Sequence, residues 1–241
     1  MQSININADL GEENNIETEI MPLISAANIA CGGHAGNPDL IASCIRLAQQ
    51  HDVKIGIHPS YPDREHFGRK SMEMTSLDIW DMLAAQISTF ISIAQREKAE
   101  IHHLKLHGAL YHDVANDEGL ARILLSVIKN YSTDWIIFGP PNSALSSVCA
   151  DVNQHFWTEA FLDRNYLPDG QLVPRSQDNS IISDPASVWL HLKNMWENKK
   201  IKTTDGTEIS IQADTFCIHG DHPNSVAILK YIHQQFANES L

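Results

Sequence analysis

The sequence predicts an α/β fold, a TIM-like (β/α) barrel of about seven parallel strands that takes in residues 1 to 241 as one domain. Three observations carry this. Short β-type runs alternate with helical patterns, as βαβ units with a parallel sheet require. No repeat, low-complexity stretch or domain boundary interrupts the chain. Asp9, His34, His58, His107, Glu159 and His219 each fall at or just past the C-terminal end of a different strand. An open sheet gathers only the strands beside its switch point, whereas a closed parallel barrel brings all carboxyl ends to one mouth. Six polar strand ends therefore call for a ring.

The elements follow in order. ININA (4 to 8) and AANIAC (26 to 31) are strands, and PDLIASCIRLAQQH (38 to 51) is a helix with proline in its first turn. VKIGIH (53 to 58) is a strand that ends before Pro59, since a residue preceding proline is driven to extended geometry. A long helix covers 76 to 100, opened by Ser76 with Asp78 close behind. HLKLH (103 to 107) is a strand, residues 117 to 131 a helix, DWIIFG (134 to 139) a strand, and residues 143 to 154 a helix capped by Ser143. HFWTEAF (155 to 161) leads into residues 161 to 182, a stretch rich in Pro, Gly, Asp and Arg that reads as a functional loop or lid. Asp184 and Pro185 open a helix over 184 to 200, Asp-Gly in IKTTDGTEISIQ (201 to 212) signals a hairpin, DTFCIHG (214 to 220) is the last strand, and 224 to 240 is the last helix.

Composition narrows the function. The 241 residues carry 17 Lys+Arg against 30 Asp+Glu, a net charge of −13 that argues against nucleic acid or an anionic membrane as partner. Cys31, Cys44, Cys149 and Cys217 form no CxxC pair, so a reducing compartment and no zinc knuckle are expected. The first residues lack a secretory pattern, and no apolar run approaches the roughly 18 residues of a membrane span. The expected location is cytoplasmic.

The chemistry-bearing residues sit in a few segments. NADLGE places Asp9 and Glu12 around Gly11, where a carboxylate can be a base, a metal ligand or a helix cap. CGGHAGNPD sets Gly32, Gly33, His34 and Gly36 before a helix, as an anion-binding nest or as a tight turn. IHPSYPD supplies His58, and the loop after it supplies Arg69. In LKLHGALYH, Lys105 and His107 are two apart on a strand and face one side, the lumen or the helix layer; the plainer alternative puts His102 and His103 at the surface and has His107 only cap a turn. Glu159 ends the sixth strand, Arg164 and Arg175 suit a carboxylate or phosphate, and CIHGDHP ends the last strand with His219. His51, His66, His155, His191 and His233 are assigned no role. Asp9, His58 and His107 have the ligand types for a zinc-like divalent metal, although no HxxxH or HExxH supports it.

Taken together, NADLGE, SAANIACGGHAGNP, IHPSYPD with FGRK, LKLHGALYH, EAFLDRNYLPDGQLVPRS and CIHGDHP resemble the LamB/YcsF family, the A component of prokaryotic 5-oxoprolinase. The likeness runs in order from residue 4 to about 225. It implies a distorted barrel related to glycoside hydrolases and polysaccharide deacetylases. It further implies ATP-dependent opening of 5-oxoproline to glutamate with partner subunits B and C. By matching positions it selects Asn7, Asp9, Glu12, His34, His58, Lys105, His107, Glu159, Arg164 and His219. The chain departs from the family pattern at Asn5, Gly33, Ile57 and Leu106, of which Asn5, in place of aspartate, bears most on chemistry.

The resulting expectation gives catalytic work to Asp9, Glu12, His58, Lys105, His107 and Glu159. Substrate or phosphate falls to Asn7, Gly32, Gly33, His34, Gly36, Arg69, Arg164 and His219. ATP is the expected cofactor, bound here or on the partners, since no Walker lysine is present. Two other readings stand beside it, a metal-dependent deacetylase-like hydrolase of carbohydrates and a binding component without chemistry of its own.

Overall fold

Seven parallel strands close on one another in a computed structural model that describes residues 4 to 239. They are β1 (Ile6–Leu10), β2 (Ala26–Ala30), β3 (Lys54–His58), β4 (Ile101–Lys105), β5 (Ile136–Gly139), β6 (Phe156–Phe161) and β9 (Thr215–His219). The ring runs in chain order, with β9 pairing both β6 and β1. Strands β7 (Lys200–Lys202) and β8 (Glu208–Ser210) form the antiparallel hairpin read from Asp-Gly.

The helices are α1 (Glu17–Ile20), α2 (Pro38–Gln50), α3 (Ser76–Arg96), α4 (Gly108–Asn116), α5 (Glu118–Ile128), α6 (Ala144–Asp151), α7 (Pro185–Glu197) and α8 (Ser225–Glu239). Asn37 caps α2 through the N–H groups of Asp39 and Leu40, and Asp184 caps α7 through Ser187 N–H. The cap of α3 is Thr75 rather than Ser76, in a reciprocal box with Asp78. By length and composition α3 is apolar enough to cross a bilayer, which corrects the expectation that no stretch comes near. Its apolarity is accounted for by packing, since Ile79, Leu83, Ile87, Phe90 and Ile93 are buried in the core.

Two other corrections concern the mouth. Strand β4 stops at Lys105, so His107 is not a strand residue; it is the residue from which α4, absent from the sequence reading, springs. Gly108 makes that switch at φ +57, where an added Cβ would come within 2.5 Å of Gly68 O. Strand β6 runs on to Phe161, so Glu159 lies inside the strand, one layer below the rim.

Candidate active site

Along the strands, alternate residues face the lumen, and here the lumen is polar where barrels of this type are usually filled with aliphatic side chains. Asn7, Asp9, Asn28, His103, Lys105, Glu159, Thr215 and Cys217 are all buried there. Buried polar groups are tolerable only when satisfied, and each of these has a partner, although the second oxygen of Glu159, Oε2, is buried without a hydrogen bond. Lys105 Nζ lies 2.8 Å from Asp9 Oδ1, 3.1 Å from Glu159 Oε1 and 2.9 Å from Cys217 Sγ. Asn28 Nδ2 donates to Asn7 Oδ1 and Asp9 Oδ1, and Asn7 Nδ2 donates to Glu159 Oε1 and Thr215 Oγ1. His103 Nε2 donates to Asn28 Oδ1 at 2.7 Å.

Electrostatics follow from this pairing. Burial favours a neutral lysine, but Asp9, Cys217 and Glu159 outweigh it and hold Lys105 well above the usual range. Burial likewise pushes Asp9 up, yet His58 and Lys105 bring it well below an ordinary aspartate. Glu12 goes the other way, raised well above the ordinary value by burial and by Asp9 and Asp221. Burial drives His103 well below its usual value, so it is a neutral ring, and its burial rules out the plainer alternative that set it at the surface.

Above this floor Glu12, His34, His58 and His107 form a second buried cluster, with one donor atom from each within 4.8 Å of all the others. His34 Nε2 lies 3.0 Å from Glu12 Oε1, and the His34 ring stacks on His107 at 3.6 Å between centroids. Burial, with His58 beside it, presses His34 down to about 2. This buried His/Glu set could hold a metal ion. It differs from the triad expected from sequence. Asp9 is already engaged by Lys105 and Asn28 through Oδ1, and its Oδ2 lies 3.4 Å from His58 Nε2.

A cavity of about 390 Å³ opens beside both clusters, lined by Asp9, Lys105, His107 and Tyr111 at its base and by Arg69, Arg164, Arg175 and His219 on its sides. Arg69 is paired with Asp221 and packs over the Phe67 ring, and Asp221 also faces Arg175 at 3.8 Å. His219 Nδ1 meets Asp163 at 2.9 Å, and the backbone N–H of His219 also donates to Asp163. The long loop is folded back by bridges Arg164↔Ile181 and Tyr166↔Leu172.

The structure therefore brings Asn7, Asp9, Glu12, His34, His58, Lys105, His107 and Glu159 together, with Arg69, Arg164 and His219 on the cavity wall. It does not bring Gly32, Gly33 and Gly36 to the cavity. Gly32 N–H donates to Ala35 O and Gly36 N–H to Glu13, so the expected nest uses these donors internally. Arg164 is not a free clamp either, because its guanidinium donates to Val173 O and Ser180 O and pins the loop. Asn5 lies at the amino end of β1, where its amide oxygen accepts from Thr215, away from the mouth. Asn28, His103 and Asp163 are site residues that the sequence reading does not select. The first two carry a usable signal. Each sits at an alternate position of a strand whose other face is apolar, as Asn7 does two before Asp9 and His103 two before Lys105.

Fold and site together define a protein of the TIM-like barrel class with its ionisable groups gathered at the carboxyl end of the strands. The chain belongs to the LamB/YcsF family, whose model matches residues 4 to 241. It is 34% identical over 235 residues to the A component of 5-oxoprolinase from Bordetella pertussis, covering 95% of this chain and 93% of that one. It is similar to the crystal structure of a lactam utilization protein from Thermus thermophilus at a TM-score of 0.91 and 32% identity, with 99% and 98% of the two chains covered. A GH113 β-1,4-mannanase, 12% identical at a TM-score of 0.51 over 97% of this chain and 99% of that one, shares the fold alone.

Proposed function

We propose that this chain carries the ring-opening site of an ATP-dependent 5-oxoprolinase, which converts 5-oxo-L-proline to L-glutamate together with partner subunits B and C. The observation that carries it is a buried Asp9–Lys105–Glu159 set at the base of a small cavity flanked by arginines. The names of the relatives, a component of 5-oxoprolinase and a lactam utilization protein, support a lactam as the substrate class.

A five-membered lactam is nearly unstrained and its amide resonance makes it a poor electrophile, so transfer of a phosphoryl group to the lactam oxygen supplies the activation. The substrate carboxylate lies against Arg69 and Arg175, which reach the cavity with charge to share. Asp9, ionised and cavity-lining, takes a proton from the attacking water. Lys105 meets the negative charge of the phosphoryl group carried by the ring oxygen. The departing nitrogen needs a proton. His219 is better placed for this than His58 or His107, since Asp163 holds its Nδ1 and the ring lines the cavity. The first water's oxygen thus ends on the ring carbon, the C–N bond breaks with the proton going to the amine, and the γ-carboxyl phosphate that remains is hydrolysed by a second water to L-glutamate and inorganic phosphate.

The test is glutamate release from 5-oxoproline by the purified chain, with and without ATP and with and without the partner subunits. Release only with ATP and partners is expected. No release from folded protein with partners bound overturns the reading. The His/Glu cluster favours one competing reading, metal-dependent hydrolysis of an N-acyl sugar, which instead predicts turnover without ATP.

A further inference from the structure

Two histidines in the second cluster have their tautomers fixed from behind. His58 Nδ1 lies 2.8 Å from Lys105 O and His107 Nε2 lies 3.0 Å from Phe67 O. A carbonyl only accepts, so each of those nitrogens carries the proton. With both rings neutral, His58 Nε2 and His107 Nδ1 are then left facing each other, 3.0 Å apart, with a lone pair on each. Two acceptors held that close, out of water, need a cation. Backbone carbonyls behind the rings are also how metal-ligating histidines are usually oriented.

The remaining members complete a polyhedron. Glu12 Oε1 lies 3.4 Å from His107 Nδ1, 3.9 Å from His58 Nε2 and 3.0 Å from His34 Nε2. Ligands in a tetrahedron around zinc at about 2.0–2.1 Å stand about 3.3–3.4 Å apart, within the spread of these edges. The four residues come from the ends of four successive strands, β1 to β4, and all are buried. The remaining nitrogen of His34, Nδ1, is buried with no hydrogen-bond partner among the described residues, and its ring packs edge to face with Phe67.

We infer that Glu12, His34, His58 and His107 bind one transition-metal dication of the zinc class. Three imidazoles and one carboxylate favour zinc, cobalt or nickel over magnesium or calcium, which take oxygen ligands. Asp9 stands outside the ligand set, next to His58. The metal site stands whether or not the ring-opening reading holds.

The experiment takes chelator-stripped full-length protein and titrates it with Zn²⁺ by calorimetry and with Co²⁺ by visible absorption. One equivalent bound, with intense Co²⁺ d–d bands of a four-coordinate site, is expected. His107→Ala and Glu12→Gln, the second nearly isosteric, are each expected to weaken binding by about a hundredfold or more, beyond the 10–100-fold typical of outer-shell changes. Asp9→Asn and the exposed-site control His51→Ala should bind as the parent does. Circular dichroism of each variant establishes that it is folded. Failure of the folded parent to bind either ion overturns the inference, as does parent-like binding by Glu12→Gln. Loss of binding in Asp9→Asn with retention in His34→Ala would move the ion to the Asp9, His58, His107 triad and overturn it equally.

Discussion

Asp9 and Lys105 form an ion pair across the barrel lumen, Oδ1 to Nζ 2.8 Å, from strands β1 and β4 that are not neighbours in the sheet. A second carboxylate, Glu159, shares the ammonium at 3.1 Å. Removing the cation leaves two carboxylates in a dry interior. Lys105→Met is therefore expected to destabilise the fold by about 3–5 kcal/mol, measured by urea denaturation. A loss below about 1 kcal/mol would mean that water reaches the lumen freely.

Asp9→Asn separates chemistry from folding, because the ammonium keeps Glu159 and the amide keeps a partner in Asn28. Glutamate release by the assembled enzyme is expected to fall by about 10²–10⁴-fold, the usual worth of a positioned base, with near-parental thermal stability. Full activity in the folded variant would remove Asp9 from the role of base.

Asp163 and His219 supply a pH test. Burial raises the Asp163 carboxyl, but the His219 charge, ring and backbone N–H more than offset it and leave it below the ordinary 3.8. A folded value below the unfolded one means that ionised Asp163 stabilises the native state above about pH 4, and that this stabilisation is lost as pH falls through the folded value. The stability difference between parent and Asp163→Asn should thus shrink as pH falls from about 4 through the folded value of Asp163. A gap that widens on acidification would reverse the sign of the shift.

The barrel is legible in the sequence because its pattern is local. Each strand is a short apolar run with a stop, and all seven start and end within two residues of where that pattern puts them. The site is legible where residues stand at strand ends. Legibility fails at Glu159 and His107, since the rim is set by register between strands, and at the glycine loop, since which N–H groups stay free depends on distant Glu13. Helix α4 is hidden because its histidine-rich entry reads as more strand. Asn28 and His103 show what strand alternation can add: a polar residue two before a rim residue marks a polar lumen.

Gly56 makes room for that lumen. A Cβ there would lie 2.1 Å from His103 Nε2 and 2.4 Å from its Cδ2 and Cε1, a ring that is itself held by Asn28 and stacked on Phe138. The ring has nowhere to go. Gly56→Ala is expected to cost about 1–3 kcal/mol by overpacking, and pairing it with His103→Ala should recover most of that loss in a double-mutant cycle. Additive effects of the two changes would place the clash elsewhere.

Arg69 tests substrate anchoring apart from stability. Its side chain is one-third exposed, paired with Asp221, and its guanidinium lies over Phe67 at 4.9 Å from the ring centroid. An ion pair that wet contributes about 0–1 kcal/mol to folding, so Arg69→Lys should leave the melting temperature almost unchanged. Lysine keeps the charge but loses the planar fork that grips a carboxylate through two hydrogen bonds. If Arg69 holds the substrate carboxylate equally in ground and transition states, KM rises about tenfold while kcat stays within about twofold. The opposite split, a fall in kcat at constant KM, would place Arg69 on the charge that develops during ring opening instead.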